Sequence, residues 1–268
     1  MNPVRNPLID ISHDGHVHTL LCGHAVGRME EYVQAALARG LSGMCFLEHL
    51  EAGIVYCKRN WLEASHFAEY FREGERLQKA YKGRMVIQLG AELGYNPAAV
   101  DELRARLRQY PFERVGLSCH YYWHGDRHWN LLGLHPDSLN RFRAIGADTV
   151  LTRYFDNLIH AAEELDCSVL CHLDAGLRHL PGLRYQDSHR AQIRRLLATV
   201  KARGMMLEIN TSGFARRGYP YPTDWIIREA IGMGIPLTPG SDAHDPEEVG
   251  RYFEQLPAYL YSDRKSVV

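Results

Sequence analysis

No run of eighteen or more apolar residues occurs in this 268-residue chain, so the sequence predicts no bilayer-spanning helix. The opening MNPVRNPLIDISHDGH lacks the apolar centre of a signal peptide. The six cysteines (Cys22, Cys45, Cys57, Cys119, Cys167, Cys171) contain no CxxC pair and mostly sit in apolar stretches. They read as reduced thiols of a cytoplasmic protein. An excess of one charge is also missing: 31 basic side chains face 32 acidic ones, for a net charge of −1. That balance gives no overall attraction to nucleic acid or to an anionic membrane. Repeats and low-complexity segments are absent, and Pro, Gly and Ser are scattered without forming a linker. Residues 1–268 are therefore expected to form one domain, of a length that suits an α/β barrel and can bury a core without staples. What the chain has in excess is histidine, fifteen in all, and their placement carries the functional argument.

Short β-like runs alternate with amphipathic segments. The expected strands are 14–18 (DGHVH), 43–49 (GMCFLEH), 85–92 (MVIQLGAE), 114–120 (RVGLSCH), 168–172 (SVLCH), 205–210 (MMLEIN) and 235–244 (IPLTPGSDAH). Between them, MEEYVQAALARG places Tyr32, Val33, Ala36 and Leu37 on one helical face and stops at Gly40. HRAQIRRLLATVKARG repeats the pattern with Ile193, Leu196, Leu197 and Val200, and PTDWIIREAIGMG opens on the cap-like Pro222–Thr223–Asp224. Seven strand–helix units predict a parallel sheet with helices outside it, closed or nearly closed into a barrel. Residues 121–148 break the alternation and read as a long aromatic loop, with 178–188 as a second loop on the same side.

Six of the seven strands end in side chains able to bind a metal: His16 and His18, His49, Glu92, His120, His172, and Asp242 with His244. In an α/β barrel these C-terminal ends converge on the face that carries active sites. Residues two apart on a strand point the same way, so His16 and His18 can grip one cation, and Asp242 with His244 repeats the arrangement. Imidazole and carboxylate together suit Zn, Mn or Fe. Taken singly, each residue has an ordinary explanation: a strand-end His is commonly a satisfied polar residue, Glu92 could pair with an Arg, and Asp242 could cap a turn. Eight such residues at the same end of their units make the metal site the better explanation.

Together these residues resemble the PHP superfamily, the polymerase and histidinol phosphatase proteins. DGHVHTLLCGHA is similar to its first motif and TPGSDAHDPEEVG to its last, with FLEHL, GAELG, LSCHYYW and LCHLD matching the motifs between. The resemblance spans residues 14–251 and implies a distorted (β/α)7 barrel, in keeping with the seven units. HTLLCGHA and NTSG look most like the histidinol-phosphate phosphatase branch. By resemblance, three divalent ions are expected. The first is held by His16, His18, Glu92 and Asp242, the second by His24, His49 and His244, and the third by Glu92, His120 and His172, so Glu92 bridges two. His24, in the loop after the first strand, enters only through this resemblance.

Two departures stand out. Glu48 occupies a position where the family usually has Asp, and is expected to orient an imidazole with a shifted geometry. After NTSG the phosphatase branch places an arginine, and here either Arg216 or Arg217 would clamp phosphate. Asp14 is expected to support the first His pair. Metal clusters lower the pKa of a bound water and neutralise phosphoryl oxygens, so the resemblance implies in-line hydrolysis by a metal-bound hydroxide, with Asp242 and His244 at the reacting centre. The sequence itself supports a small phosphomonoester as substrate, and the resemblance narrows this to L-histidinol phosphate and a late step of histidine biosynthesis. Tyr121, Tyr122, Trp123 and Trp129 could wall such a substrate, with His124, Asp126 and His128 at its polar end, or simply pack. The alternatives are a PHP enzyme acting on nucleotides or single-stranded ends, and a non-catalytic metal-binding regulator. Against the first, Arg104, Arg106 and Arg108 share their helix with Asp101 and Glu102 and read as a solvated face.

Overall fold

All seven expected strands form, in the expected order. The computed structural model of the chain describes residues 8–265. Strands β1 (His13–Val17), β2 (Gly43–Glu51), β3 (Val86–Gly94) and β4 (Arg114–Ser118) are followed by a two-stranded hairpin, β5 (Tyr121–His124) and β6 (Arg127–Asn130). Then come β7 (Val169–Leu170), β8 (Met206–Asn210) and β9 (Leu237–Gly240). Leaving the hairpin aside, the strands pair in parallel as β1-β2-β3-β4-β7-β8-β9. A bridge from Val17 to Ala243 brings the two edges together, flanked by backbone bonds from His18 N–H to Ala243 O and from Asp242 N–H to His16 O, both 2.9 Å. The result is a nearly closed barrel of seven parallel strands.

Helices cover the outside because their apolar stripes match the outer face of the strands. They are α1 (Met29–Ala38), α2 (Ala64–Ala80), α3 (Val100–Gln109), α4 (Pro136–Ile145), α5 (Ala147–Glu164), α6 (Asp187–Ala202), α7 (Ser212–Arg217), α8 (Asp224–Met233) and α9 (Leu256–Lys265). In α6, Ile193, Leu196, Leu197 and Val200 are all fully buried, as their spacing requires; each contributes about 1.5–3 kcal/mol of burial. In α1, Tyr32, Val33 and Ala36 are buried while Leu37 is half-buried. Every residue of β2 is buried, the continuous pattern of a parallel strand covered on both faces.

Below the strand ends the barrel is filled by Cys45, Leu47, Val169 and Cys171. Gly116 makes room for them, since a Cβ there would lie 2.5 Å from the Cys171 sulfur. Five of the six thiols are buried and Cys57 is exposed, all of them free.

The segment read as a long loop is instead the β5–β6 hairpin followed by α4 and the start of α5. Its Tyr121 and Tyr122 are buried, with Tyr122 edge-on to Phe142 and under the Arg153 guanidinium. Among the described residues, no helix is long and apolar enough to cross a membrane.

Candidate metal centre

The pairing of β2 with β3 sets His49 directly beside Glu92, and the other strand ends close around that carboxylate. Glu92 is fully buried and its two oxygens face different groups of rings. Oε1 lies 3.0 Å from His120 Nε2 and 2.6 Å from His172 Nε2. Oε2 lies 2.9 Å from His49 Nδ1 and 3.6 Å from Nε2 of both His16 and His18. Asp242 Oδ1 stands 3.4 Å from His18 Nε2 and 3.8 Å from His16 Nε2. At the outer edge, His24 and His244 meet through their Nε2 atoms at 3.0 Å, and His244 also belongs to a donor group with His18 and His49.

These contacts fit divalent cations better than a self-satisfied hydrogen-bond network. The Nε2 atoms of His16 and His18 converge at 2.9 Å. Glu92 Oε2 and His18 Nδ1 are buried without a hydrogen-bond partner, which is costly unless something else satisfies them. Zn–N and Zn–O bonds of about 2.0–2.2 Å put tetrahedral ligands about 3.3 Å apart. Several groups of three donors here lie within 4.8 Å of one another, among them His16–His18–Asp242, His16–Glu92–His172 and His18–His49–His244.

Above the cluster opens a cavity of about 350 Å³. Arg178 and Arg251 line it from the loops after β7 and β9 and Arg216 from α7, with Asn60 in the loop after β2 and Asn130 at the end of β6. The hairpin's rings are not among these walls: Trp129 and His128 border a separate recess with Val55 and Tyr56.

The model of the PHP domain matches residues 14–212. The chain belongs to the PHP family. A protein of Deinococcus radiodurans named "Probable histidinol-phosphatase" is 30% identical over 243 residues, 90% of this chain and 89% of its own length. The histidinol-phosphatase of Bacillus subtilis is 26% identical over 258 residues, covering 90% and 96%. Two solved structures share the fold. One from Listeria monocytogenes has a TM-score of 0.81 at 21% identity and covers 91% of this chain and 99% of its own. The other, histidinol phosphate phosphatase of Lactococcus lactis complexed with Zn, L-histidinol and phosphate, has a TM-score of 0.77 at 20% identity, with coverage of 94% and 93%. The chain is accordingly a hydrolase of the phosphatase class, and its donor set supports divalent metals.

All nine donors named from the sequence thus meet at one end of the PHP barrel, His24 among them. The two arginines part company. Arg216 faces the cavity, whereas Arg217 donates to Asp174 at 3.4 Å and to the Pro220 carbonyl, with its guanidinium 3.8 Å over the Tyr221 ring. Asp14 also differs from expectation. Its carboxylate accepts the backbone N–H groups of Gly250 (2.7 Å), Ser241 (3.0 Å) and His16 (3.3 Å), so it fastens the backbone rather than a ring.

Carboxylates that the sequence reading did not name stand behind the rings. Glu208 Oε1 lies 2.6 Å from His16 Nδ1, and Glu51 Oε1 lies 2.7 Å from His120 Nδ1. Such partners fix ring orientation and tautomer. Glu48 stands near His18 without such a bond: Oε1 accepts the Thr19 N–H at 2.8 Å, and Oε2 lies 4.0 Å from His18 Nδ1. Burial pushes the Glu48 carboxyl up to about 8 despite the Thr19 bonds. Burial would raise Glu92 as well, but His120, His16, His172 and His49 outweigh it and hold Glu92 well below the carboxylate range. Burial and the neighbouring His49 and His244 push His24 down to about 3, which keeps that ring neutral and able to ligate. Arg178, also missed from the sequence, has its pKa lowered by burial; Nη1 donates to Ala175 O and Nη2 to Leu132 O, both at 3.0 Å.

Proposed function

We propose that this PHP chain works as one domain that hydrolyses L-histidinol phosphate to L-histidinol and inorganic phosphate. The observation that carries the reading is the split of Glu92: one buried carboxylate offers each oxygen to a separate group of donors, directly beneath a cavity flanked by arginines. The names of relatives matched over most of their length supply the substrate. On this reading three divalent ions would be held, by His16, His18, Glu92 and Asp242, by His24, His49 and His244, and by Glu92, His120 and His172. Such ions acidify water and neutralise phosphoryl oxygens.

The chain's own residues supply the rest. Arg216 enters from α7 and orients the phosphate through charge-assisted hydrogen bonds, while Arg178, whose Nη1 and Nη2 are held by the Ala175 and Leu132 carbonyls, adds positive charge to the cavity wall. Arg217 supports them from behind by pinning the segment around Tyr221 to Asp174. Burial would raise Asp242, but His18, His16 and His244 outweigh it and hold it ionised, the form a metal ligand needs. It also lines the cavity, where a carboxylate can receive the proton of the attacking water. His244, at the cavity edge, stands where the ester enters.

The test is phosphate release from a panel of L-histidinol phosphate, sugar phosphates, mononucleotides and short single-stranded oligonucleotides, with the protein loaded with Mn or Zn. A preference for L-histidinol phosphate of about a hundredfold in kcat/KM is expected. Preferential turnover of nucleotides would keep the fold assignment and overturn the substrate.

A further inference from the structure

The turn after β9 carries Asp242 and His244, and Asp242 stands in the left-handed region at φ +52°. A residue with a Cβ stays there only when its surroundings over-determine it. Those surroundings are an ion pair. Nε and Nη2 of Arg251 donate to the Ser241 carbonyl at 3.2 and 3.0 Å, and Nη2 reaches the Asp242 carbonyl at 3.5 Å. Nη1 of Arg251 pairs with Glu248 Oε1, and Glu248 Oε2 accepts the His244 backbone N–H at 3.0 Å. One Arg–Glu pair thus grips the backbone on both sides of Asp242, while Asp14 holds Ser241 and Gly250 from the barrel side. The Asp242 carboxylate is left aimed at the rings of His16 and His18.

We propose that Arg251, together with Glu248, is a positioning residue that holds Asp242 and His244 in the arrangement that binds divalent cations. The proposal rests on the metal reading given above. Arg251 also borders the cavity, so the competing role is direct contact with phosphate. The hydrogen bonds favour positioning: backbone carbonyls and Glu248 already occupy Nε, Nη1 and Nη2.

The two roles separate in a titration of the full-length, metal-stripped chain with Mn²⁺, following the free ion by electron paramagnetic resonance. R251A is expected to weaken Mn²⁺ binding about 10- to 100-fold, the range for loss of a partner that orients a metal ligand. R251K recovers only part, because an ammonium cannot fork between Ser241 and Glu248. At saturating Mn²⁺, inhibition by inorganic phosphate should stay within about threefold of wild type. Mn²⁺ affinity within twofold of wild type overturns the proposal. So does a tenfold weaker phosphate inhibition at unchanged Mn²⁺ affinity, which makes Arg251 a substrate contact. E248Q, close in size to the native side chain, serves if R251A does not fold, and must weaken Mn²⁺ binding in the same direction. Wild-type chain that takes up no Mn²⁺ removes the metal reading itself, and that outcome is visible without any variant.

Discussion

Glu208 serves two strand ends at once. Its Oε1 faces Nδ1 of His16, and its Oε2 accepts the backbone N–H of His172 at 2.7 Å and the Asn210 amide at 3.2 Å. His172 has φ +22°, an uncommon value for a residue with a Cβ, so the bond to its N–H helps hold the ring in place. Glu208→Gln keeps the volume but replaces one acceptor with a donor, leaving either His16 or His172 with the wrong partner. Metal affinity should fall about 10- to 100-fold, measured as metal retained after dialysis against a graded chelator series. Retention equal to wild type would show that Glu208 is only filling space. The nine donors were legible in the sequence because each lies at a strand end or inside a motif. Glu51 had a signal that went unread, standing two residues after His49 on the same strand, whereas Glu208 is 192 positions from its ring partner and had no local signal.

At the level of elements, α2 approaches β3 through Gly74. A Cβ at that position would come within 2.4 and 2.6 Å of the two Leu89 methyl groups, and Leu89 is itself buried. Alanine would gain about 1 kcal/mol of helix propensity over glycine. Overpacking a filled core costs about 1–3 kcal/mol, so the packing term should win. Gly74→Ala is expected to lower the urea midpoint, with a net loss of up to about 2 kcal/mol, and a raised midpoint would mean that α2 has slack to move outward. Interfaces of this kind follow from periodicity, which is why the strands and helices α1, α6 and α8 could be read from the chain. The β5–β6 hairpin could also have been read. Gly125 and Asp126 separate two aromatic runs, a two-residue turn in which Gly125 takes φ +71° and His124 pairs with Arg127. Its rings and histidines instead read as either a substrate wall or simple packing, and Trp129 lies against Arg127 and Arg141 and is not among the cavity's walls.

Across the whole molecule, the candidate metal centre sits on the seam that closes the barrel. The first and last strands meet through one bridge and two flanking backbone bonds, whereas β2 and β3 pair over nine residues. His16 and His18 lie on one side of that seam and Asp242 and His244 on the other, so cations held among them would tie residues more than 220 positions apart in sequence. A ligand that binds only the folded chain stabilises it by about 2.7 kcal/mol at a hundredfold excess over Kd. In a protein of this size 1 kcal/mol moves the thermal midpoint by about 2–4 °C. Stripping the metals should therefore lower Tm by about 5–10 °C, and adding Zn²⁺ or Mn²⁺ back should raise it in a concentration-dependent way. Asp242→Asn should shrink that response, because it replaces a carboxylate shared by His16 and His18 with a neutral amide. A midpoint indifferent to chelator and to added metal would mean that the imidazoles and Glu92 satisfy one another through protons alone. The seam would then owe its closure to backbone bonds, and the buried, unpartnered Glu92 Oε2 would need another explanation.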